Sequence, residues 1–519
     1  MGAAQNYSNL SDDELRQLLS ERDRALASKE QTISHQERII KVMEEALRLQ
    51  KLRLFGKSSE KSPDQVELFN EAELSVAAED GFAQQEAQSA CADTATGKKK
   101  PGRKPLPADL PRVRIEHDLP DTEKTCECGC ERVVIGEEIS EQLDIIPATI
   151  QVLVNVRKKY ACKKCESGVA VAPLPAQPIP KSNASPGLLA HIVTSKYQDA
   201  LPLHRQEAIL QRQGIDIPRN TLANWMIRSG ELIQPLINLL DERWRDYPVV
   251  HCDETPVQVL NEQGKRAQSQ SYMWVRVGGP PTQPVRLFHY ADSRRGDVAA
   301  GLLADYCGYV QTDDYAGYNL ACSATNITQL GCWAHARRKL VEAQKVTSGK
   351  TGKANMILSM IAKLYAIEKR ARDLNPADRY SLRQQESVPQ LDKIRKWLDN
   401  TLHSTLPKGV LGKALAYLDK NWRKLTVYTE DGRLNIDNNP AENAIRPFVL
   451  GRKNWLFSVS VNGAKASANL YSLIETARAN KLEPYNYLRY VFKELPLAQG
   501  VENIEALLPW NVSAEALTV

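Results

Sequence analysis

The N-terminal part of the chain carries a regular hydrophobic pattern from Ser11 to about Gln50, which predicts one long helix. Ser11 and Glu14 form a capping box that is typical of a helix start. Apolar residues recur every seven positions, as in a coiled coil: Leu19, Leu26, Ile33, Ile40 and Leu47. The companion column is polar. The pattern favours a self-associating helix over a lone amphipathic helix packed on the body of the protein.

A polar stretch from Gly56 to Lys100 follows this helix, and its composition predicts a linker with little core of its own. It leads into a basic segment in which Arg103 and Lys104 stand between prolines. Such a segment suits a narrow A·T-rich minor groove of DNA, and it also suits a stiff basic linker. Both interpretations stay open.

A helical pattern runs from Ser185 to about Asp241 and resembles a helix-turn-helix at its centre. Gly214 is expected to end the first helix, and Asn220 or Thr221 to cap the second. Arg219 stands near the start of that second helix, where it can reach base edges or phosphates. An ordinary helical hairpin fits the pattern nearly as well.

The pattern after Tyr247 changes to β-structure, and helices alternate with the strands, which predicts a mixed α/β sheet. The predicted strands are Val249–Thr255, Ser271–Val277, Pro284–Tyr290, Tyr309–Tyr315 and Ile327–Trp333. A helix-rich region from Thr351 to about Tyr428 then interrupts the sheet.

The length of 519 residues predicts several domains, because single cores stop growing at roughly 250–300 residues. No apolar run approaches the roughly 18 residues of a membrane span, and the N-terminus lacks the pattern of a secretory signal. We therefore expect a cytoplasmic protein. The net charge of +5 is small, but separate basic clusters suit a polyanionic partner, although a solvated surface explains any single one.

Five of the ten cysteines fall in one short region, which in a cytosolic protein indicates metal binding rather than disulfides. They are Cys126, Cys128, Cys130, Cys162 and Cys165. Two thiolate pairs on tight turns joined by β-structure can surround one Zn²⁺, so the region predicts a zinc ribbon. Which two of the first three cysteines are ligands stays open.

Three acidic residues stand at the ends of predicted elements. Asp253 lies on the first strand, and the alternation of side chains points it away from Glu254. Asp313 ends a later strand. Glu442 follows Asn439, which is the predicted cap of a new helix with Pro440 as its first residue. The alternative is that the aspartates are turn residues and that Glu442 closes a capping box with Asn439.

Three such carboxylates together would suit metal-assisted attack on a phosphodiester. Two divalent ions about 3.5–4 Å apart stabilise the entering and leaving oxygens, and Mg²⁺ or Mn²⁺ prefers carboxylate ligands. We therefore predict that Asp253, Asp313 and Glu442 bind the metal ions and are catalytic. Basic residues nearby would hold phosphates of DNA: His335, Arg338 and Arg446.

Several long strings of the chain resemble the insertion sequence 66 family of DDE transposases. They include Leu54–Glu60, Ile135–Leu143, Asp253–Pro256, Thr312–Tyr318, Gly331–Lys339, Asn438–Glu442, Gly451–Phe457 and Ile504–Trp510. The resemblance covers nearly the whole chain. This sequence differs from the usual family pattern at two places. Asp314 stands where the family usually has Gly, and the first cysteine group differs from the usual C-x-x-C.

The resemblance implies a multidomain α/β protein that binds the terminal repeats of an insertion sequence, cleaves them and joins them to target DNA. Arg103, Lys104, Arg219, Arg452 and Lys453 are further candidate DNA-binding residues. We expect a homodimer or higher oligomer, association with the nucleoid, and accessory proteins of the same element. The alternatives are a non-catalytic DNA-binding regulator and a simple ribonuclease-H-like nuclease.

The resemblance and the patterns together predict six regions. They are a coiled-coil or leucine-zipper-like helix (1–55), a linker with the basic segment (56–108), a zinc-binding domain (109–178), a helix-turn-helix-like region (179–245), a ribonuclease-H-like catalytic domain (246–475) with a helical insertion at about 345–430, and a C-terminal element (476–519).

Overall fold

The computed structural model describes residues 12–55, 150–161, 169–323, 326–346 and 352–517. Ser11, the basic segment with Arg103 and Lys104, and the five clustered cysteines lie outside the described residues. The chain divides into two compact units, Gln85–Pro175 and the rest. In the described part of the smaller unit, strands β1 (Lys159–Ala161) and β2 (Val169–Val171) pair antiparallel.

Four helices precede the main sheet, as the pattern predicted: α2 (Pro186–Tyr197), α3 (Leu203–Arg212), α4 (Arg219–Leu232) and α5 (Gln234–Arg243). Gly214 has a φ of 78° in the turn after α3, a conformation that favours glycine. The predicted caps of α4 are wrong. Pro218 is its N-cap residue, and the Glu207 carboxylate of α3 accepts a 2.9 Å hydrogen bond from the Arg219 backbone N–H. Asn220 and Thr221 lie inside the helix.

The main sheet contains the five predicted strands and one more, but two of the predicted strands end earlier than expected. One ends at Gln311, so Asp313 follows it instead of ending it, and another ends at Leu330, so Trp333 lies in a helix. The strands of this sheet are β3 (Val249–Asn261), β4 (Gln270–Gly278), β5 (Val285–Ala291), β6 (Gly308–Gln311), β7 (Ile327–Leu330) and β8 (Phe457–Ser460). The order is β5-β4-β3-β6-β7, with β8 beside the end of β3. Strands β3, β4 and β5 are antiparallel neighbours, whereas β6, β7 and β8 join in parallel. The sequence pattern did not predict β8.

Helices follow the strands and fill the connection between β7 and β8. Those near the sheet are α6 (Gly296–Leu302), α7 (Tyr318–Ser323) and α8 (Trp333–Val346). The predicted helix-rich region contains α9 (Lys353–Ala371), α10 (Pro376–Leu382), α11 (Val388–Leu402) and α12 (Val410–Thr426). The C-terminal part consists of α13 (Asn439–Trp455), α14 (Val461–Ala479), α15 (Pro484–Glu494) and α16 (Val501–Glu505). None of the helices in the described ranges has the length and apolar character to cross a membrane.

Helix α14 covers the edge strand β5 with hydroxyl groups as well as apolar side chains. Ser472 Oγ accepts a 2.7 Å hydrogen bond from the Phe288 N–H. Thr476 Oγ1 accepts from the Arg286 N–H at 3.1 Å and donates to the Arg286 carbonyl at 3.0 Å. Unpaired groups of an edge strand invite pairing with other chains, so the helix satisfies part of this edge within the molecule.

The helical insertion has a core of its own and is tied to the segment that precedes α13. Its buried guanidinium, Arg383, forms an ion pair with Glu368 at 2.6 Å. It also donates hydrogen bonds to the carbonyls of Tyr428, Asp431 and Leu434 at 2.8–2.9 Å. A buried charge needs such partners, and these fix the chain just before it enters α13.

The N-terminal helix α1 (Asp12–Phe55) has an exposed heptad stripe. Its five members, Leu19 to Leu47, are 54–61% exposed. A different face contacts the insertion, where Glu45 Oε2 accepts a 3.1 Å hydrogen bond from the Val410 N–H at the start of α12. A carboxylate is favourable at a helix N-terminus. The stripe itself is therefore left uncovered by the described part of this chain.

Candidate active site

The segment before α13 is held against β3 by a hydrogen-bond network. Asn438 Nδ2 donates to the Cys252 carbonyl at 2.8 Å, and Asn438 Oδ1 lies 3.2 Å from His251 Nδ1. Asn435 Nδ2 lies 3.2 Å from His251 Nε2. Burial lowers the pKa of His251 to about 4, so the neutral ring donates through Nδ1 and accepts through Nε2. Gln311 of the neighbouring β6 donates to the Asn435 carbonyl at 2.9 Å.

This network sets the position of Glu442. Helix α13 begins at Asn439 with Asn438 as its N-cap residue, so the prediction of Asn439 as the cap is wrong by one position. Glu442 lies in the first turn, as predicted, and is 2% exposed. Neither of its carboxylate oxygens accepts a hydrogen bond from the described residues. Glu442 therefore does not close the alternative capping box with Asn439.

Two basic side chains of α8 face Glu442. His335 Nδ1 lies 3.5 Å from Glu442 Oε1, and Arg338 Nη2 lies 3.8 Å from Oε2. Residues three apart lie on one face of a helix, which explains how both reach the same carboxylate. The backbone N–H of Trp333, the first residue of α8, donates to the Ile436 carbonyl at 3.2 Å. The start of α8 is thus bonded to the segment that precedes α13.

Asp253 and Glu254 have different surroundings on β3, as their alternation predicted. The Asp253 carboxylate accepts a 2.9 Å hydrogen bond from the Glu254 backbone N–H. The Glu254 carboxylate accepts hydrogen bonds from the Tyr318 hydroxyl at 2.6 Å and from Arg294 Nε at 2.7 Å. Glu254 is thus a buried ion-pair partner, whereas Asp253 has a different set of contacts on the other face of β3.

Asp313 follows β6 by two residues and lies beside the Glu254 ion pair. Arg294 Nη2 is 2.5 Å from Glu254 Oε1 and 3.8 Å from Asp313 Oδ2. Burial and the Asp313 charge raise the pKa of Glu254, whereas Arg294 lowers it. Asp313 Oδ1 also accepts a 2.9 Å hydrogen bond from the Tyr315 N–H. Arg294 is therefore shared by the two carboxylates.

Asp314, the neighbouring acid, points to the helical insertion. Its carboxylate lies 2.9 Å from Lys420 Nζ and 4.0 Å from Lys424 Nζ, both on α12. Opposite charges at these distances attract. Asp314 therefore ties the loop after β6 to the insertion, and its partners differ from those of Asp313.

The donor chemistry of Asp253, Asp313 and Glu442 fits hard divalent ions, because all three offer carboxylate oxygens. The Glu442 oxygens are buried and accept no hydrogen bond from the described residues. Two ions about 4 Å apart with bonds of about 2.1 Å link oxygens that are up to about 8 Å apart. Among the described residues, the potential ligands that lie within 4.8 Å of one another are Cys332, His335 and Glu442.

The other predicted DNA-binding residues within the described ranges do not share the contacts of His335 and Arg338 with Glu442. Arg446 is half-buried one turn after Glu442, Lys453 is exposed near the end of α13, and Arg219 is exposed at the start of α4. Arg452 donates a 3.0 Å hydrogen bond to Thr255 Oγ1 on β3. Arg452 therefore braces α13 against the strand that carries Asp253.

Sequence reasoning missed Arg294 and Cys332 as members of this region. Arg294 belongs to a pair of arginines directly after β5, but no local pattern links it to Glu254, which lies 40 residues earlier. Cys332 precedes His335 by three positions at a helix start. That spacing places both residues on one side of a helix, and it was the signal that could have identified Cys332.

Four family models match the chain in sequence order. The model described as "Transposase C of IS166 homeodomain" matches residues 43–115, and the "zinc-finger binding domain of transposase IS66" matches 123–166. The model "Transposase IS66 family" matches 181–466, and the "IS66 C-terminal element" matches 472–510. These matches define a transposase with a zinc-finger domain and a leucine-zipper-like region. The chain belongs to the IS66 transposase family.

Curated relatives align over most of this chain. The "Uncharacterized protein y4qI" of Sinorhizobium fredii is 33% identical over 438 residues, which cover 80% of each chain. The "Uncharacterized protein y4hP" of the same organism is 31% identical over 503 residues, which cover 91% of this chain and 89% of the relative. The similarity thus covers at least four fifths of this chain in both relatives.

Proposed function

We propose that this chain is a DNA strand transferase that cleaves the ends of an insertion sequence and joins them to target DNA. Asp253, Asp313 and Glu442 hold two divalent metal ions in this proposal, Mg²⁺ or Mn²⁺. The proposal also places the protein in the bacterial cytoplasm with the nucleoid, where its terminal repeats and target DNA are found.

We infer that the main sheet with its helices is a ribonuclease-H-like core. The order β5-β4-β3-β6-β7, with an antiparallel β4 beside a central β3, supports this assignment. Strands β3 and β6 are parallel neighbours whose last paired residues are His251 and Gln311. Asp253 and Asp313 each follow that pair by two residues, which supports their placement at the same level of the sheet. The helical insertion lies between β7 and α13. In this proposal, the start of α13 brings Glu442 close to the two aspartates.

The observation that carries the proposal is the placement of Glu442. This buried carboxylate accepts no hydrogen bond from the described residues, and a network between β3 and the start of α13 fixes its position. Burying a carboxylate that accepts no hydrogen bond is costly, and within the described part of the chain Glu442 has only the longer contacts to His335 and Arg338, at 3.5 and 3.8 Å. Metal ions bound to the Glu442 oxygens during the reaction would offset the free-energy cost of burying this carboxylate.

The reaction needs two in-line displacements at phosphorus. Water first attacks at the element end, and the released 3′-oxygen takes up a proton; this 3′-hydroxyl then attacks target DNA and displaces a target 3′-oxygen. Bound divalent ions supply charge stabilisation of the entering and leaving oxygens. His335 and Arg338 orient Glu442, while the half-buried Arg446 and the exposed Lys453 and Arg219 are candidates for phosphate contacts.

The regions outside the described residues also have proposed roles. Two of Cys126, Cys128 and Cys130 would bind Zn²⁺ with Cys162 and Cys165, within the region that the zinc-finger model matches. Thiolates in two such groups suit a tetrahedral zinc ion. Arg103 and Lys104 would contact the DNA backbone, and accessory proteins of the same element would join the complex.

The proposal is tested by incubating the full-length protein with a duplex that ends in the terminal repeat of its element. We expect cleavage with Mg²⁺ or Mn²⁺, and DNA binding without cleavage in Ca²⁺, which favours a looser geometry. DNA affinity should fall steeply with salt concentration because phosphate contacts release counterions. Efficient cleavage in chelator-treated, metal-free buffer would contradict the proposed chemistry.

We further propose that the exposed heptad stripe of α1 pairs with α1 of a second copy. Replacing Leu26 and Ile33 together with Glu should lower the oligomeric mass, because charges would enter an apolar seam. Light scattering after size-exclusion chromatography measures that mass. Ser34→Glu, also exposed on α1, is the control and should leave it unchanged. An unchanged mass in the double variant would exclude pairing through this stripe.

A further inference from the structure

Cys332 places a sulfur atom beside the His335–Glu442 pair, and the proposed cleavage reaction has no use for it. Donor atoms of all three residues lie within 4.8 Å of one another, and all three residues are buried. Cys332 precedes α8, His335 lies in its first turn, and Glu442 lies in the first turn of α13. Cys332 Sγ accepts a 3.3 Å hydrogen bond from the N–H of Asn438, the N-cap residue of α13. Two helix starts that are bonded to each other therefore hold the three donors.

The donor set differs in chemical type from that of the proposed catalytic ions. Mg²⁺ prefers oxygen ligands, whereas thiolate and imidazole ligands suit Zn²⁺. In a tetrahedral zinc site, nitrogen and oxygen ligands are about 3.4 Å apart, given bonds of about 2.0–2.2 Å. The distance of 3.5 Å between His335 Nδ1 and Glu442 Oε1 agrees with that geometry.

We propose that Cys332, His335 and Glu442 form a binding site for a single borderline-soft divalent ion such as Zn²⁺, and that occupation of this site inhibits strand cleavage. Binding would replace the Cys332 thiol proton with the metal and release that proton to solvent. The ion would hold the Glu442 carboxylate on the side of α8, so Glu442 could not serve the catalytic ions. The inhibitory part of this inference rests on the proposed function, whereas the binding part does not.

Binding is tested on the full-length protein with Cd²⁺ as an NMR-active probe. The zinc-finger cysteines should give a resonance typical of several sulfur ligands. The proposed site should give a second resonance, typical of one sulfur with nitrogen and oxygen. Cys332→Ser should remove only this second signal, and Cys322→Ser, which changes another cysteine outside this group, should leave both. A spectrum without a mixed-ligand signal, or one in which Cys332→Ser leaves it in place, overturns the site.

Inhibition is tested by titrating Zn²⁺ into cleavage reactions at fixed Mg²⁺. We expect Cys332→Ser to raise the zinc concentration for half-inhibition by at least about tenfold, because one of three protein ligands is lost. The ratio of rates with and without zinc is compared within each variant, so a general change in rate does not affect the result. Equal zinc sensitivity of the wild type and Cys332→Ser overturns the inhibitory role. If the wild-type chain does not cleave DNA at all, the proposed function fails while the cadmium spectrum still decides the site.

Discussion

Glu442→Gln is expected to lower the rate of DNA strand cleavage by roughly 10³-fold or more, which corresponds to about 4 kcal/mol of lost transition-state stabilisation. The amide keeps the size of the side chain but removes the negative charge that a divalent ion needs. Glu442 is buried in the first turn of α13, so no solvent-exposed carboxylate can take its place without moving the helix. Cleavage is measured on labelled end duplexes under single-turnover conditions.

The adjacent acids Asp313 and Asp314 allow a matched comparison between a proposed metal ligand and a neighbouring carboxylate with other partners. Asp313→Asn should reduce cleavage by a similar factor, because this carboxylate shares the proposed metal ions. Asp314→Asn should keep the rate within about fivefold, because Asp314 contacts the exposed Lys420 of α12 and such a pair contributes at most about 1 kcal/mol. Equal losses from both substitutions would show that the loop after β6 matters, rather than the Asp313 carboxylate.

Measuring DNA binding and DNA cleavage side by side distinguishes an enzyme from a non-catalytic DNA-binding regulator. Asp253→Asn should bind end duplexes with unchanged affinity at equal salt while cleavage disappears, since phosphate contacts dominate affinity. If the wild-type protein binds these ends and none of the metal conditions supports cleavage, the acids are structural and the regulator is favoured.

Local patterns in the sequence were sufficient to predict five of the six strands of the main sheet and to single out the three acids as candidates. The strands contain runs of apolar residues that are bounded by turns, so their existence can be predicted from neighbours along the chain. Asp253 and Glu254 are assigned to opposite faces by the period of a strand. Helix α13 is recognisable from its Pro and Asn residues, although its first residue lies one position away from the prediction.

The remaining features depend on contacts between distant residues, which no local pattern records. Strand β8 is short, and it pairs with β3 only after the whole helical insertion. The first backbone N–H of α4 donates to a Glu207 carboxylate from the preceding helix, so the residues at the helix start gave a wrong prediction of its cap. Asn438 contacts His251 across 187 positions. Tertiary packing decides such details, and the fold must be known before they can be inferred.

Arg294→Met is expected to lower cleavage by about 10²-fold and to destabilise the protein by about 1–3 kcal/mol, because it leaves a buried acceptor short of its partner while the Arg294 side chain itself is 38% exposed. The Glu254 side chain is 1% exposed and would keep only the Tyr318 hydroxyl bond among the contacts described above. Its repulsion with Asp313 would no longer be offset. Thermal unfolding and the single-turnover rate measure the two effects separately.

Arg295→Met is the matched control, because the next residue carries the same side chain in a different setting. The Arg295 side chain is 71% exposed and pairs with Asp297 at 3.2 Å on the surface. Exposed pairs contribute about 0–1 kcal/mol, so both the stability and the rate should stay close to those of the wild type. A comparable loss in both variants would point to the loop after β5 rather than to the buried ion pair.

The double variant Arg294→Met with Glu254→Gln distinguishes the effect of Arg294 on Glu254 from its effect on Asp313. Neutralising Glu254 removes the uncompensated buried charge, so a large part of the lost stability should return. Cleavage should stay low, because Asp313 would still lack the guanidinium 3.8 Å away that holds it in place. If the double variant recovers the rate as well as the stability, Arg294 acts only through Glu254. If Arg294→Met alone keeps the wild-type rate, the guanidinium does not position Asp313 for catalysis.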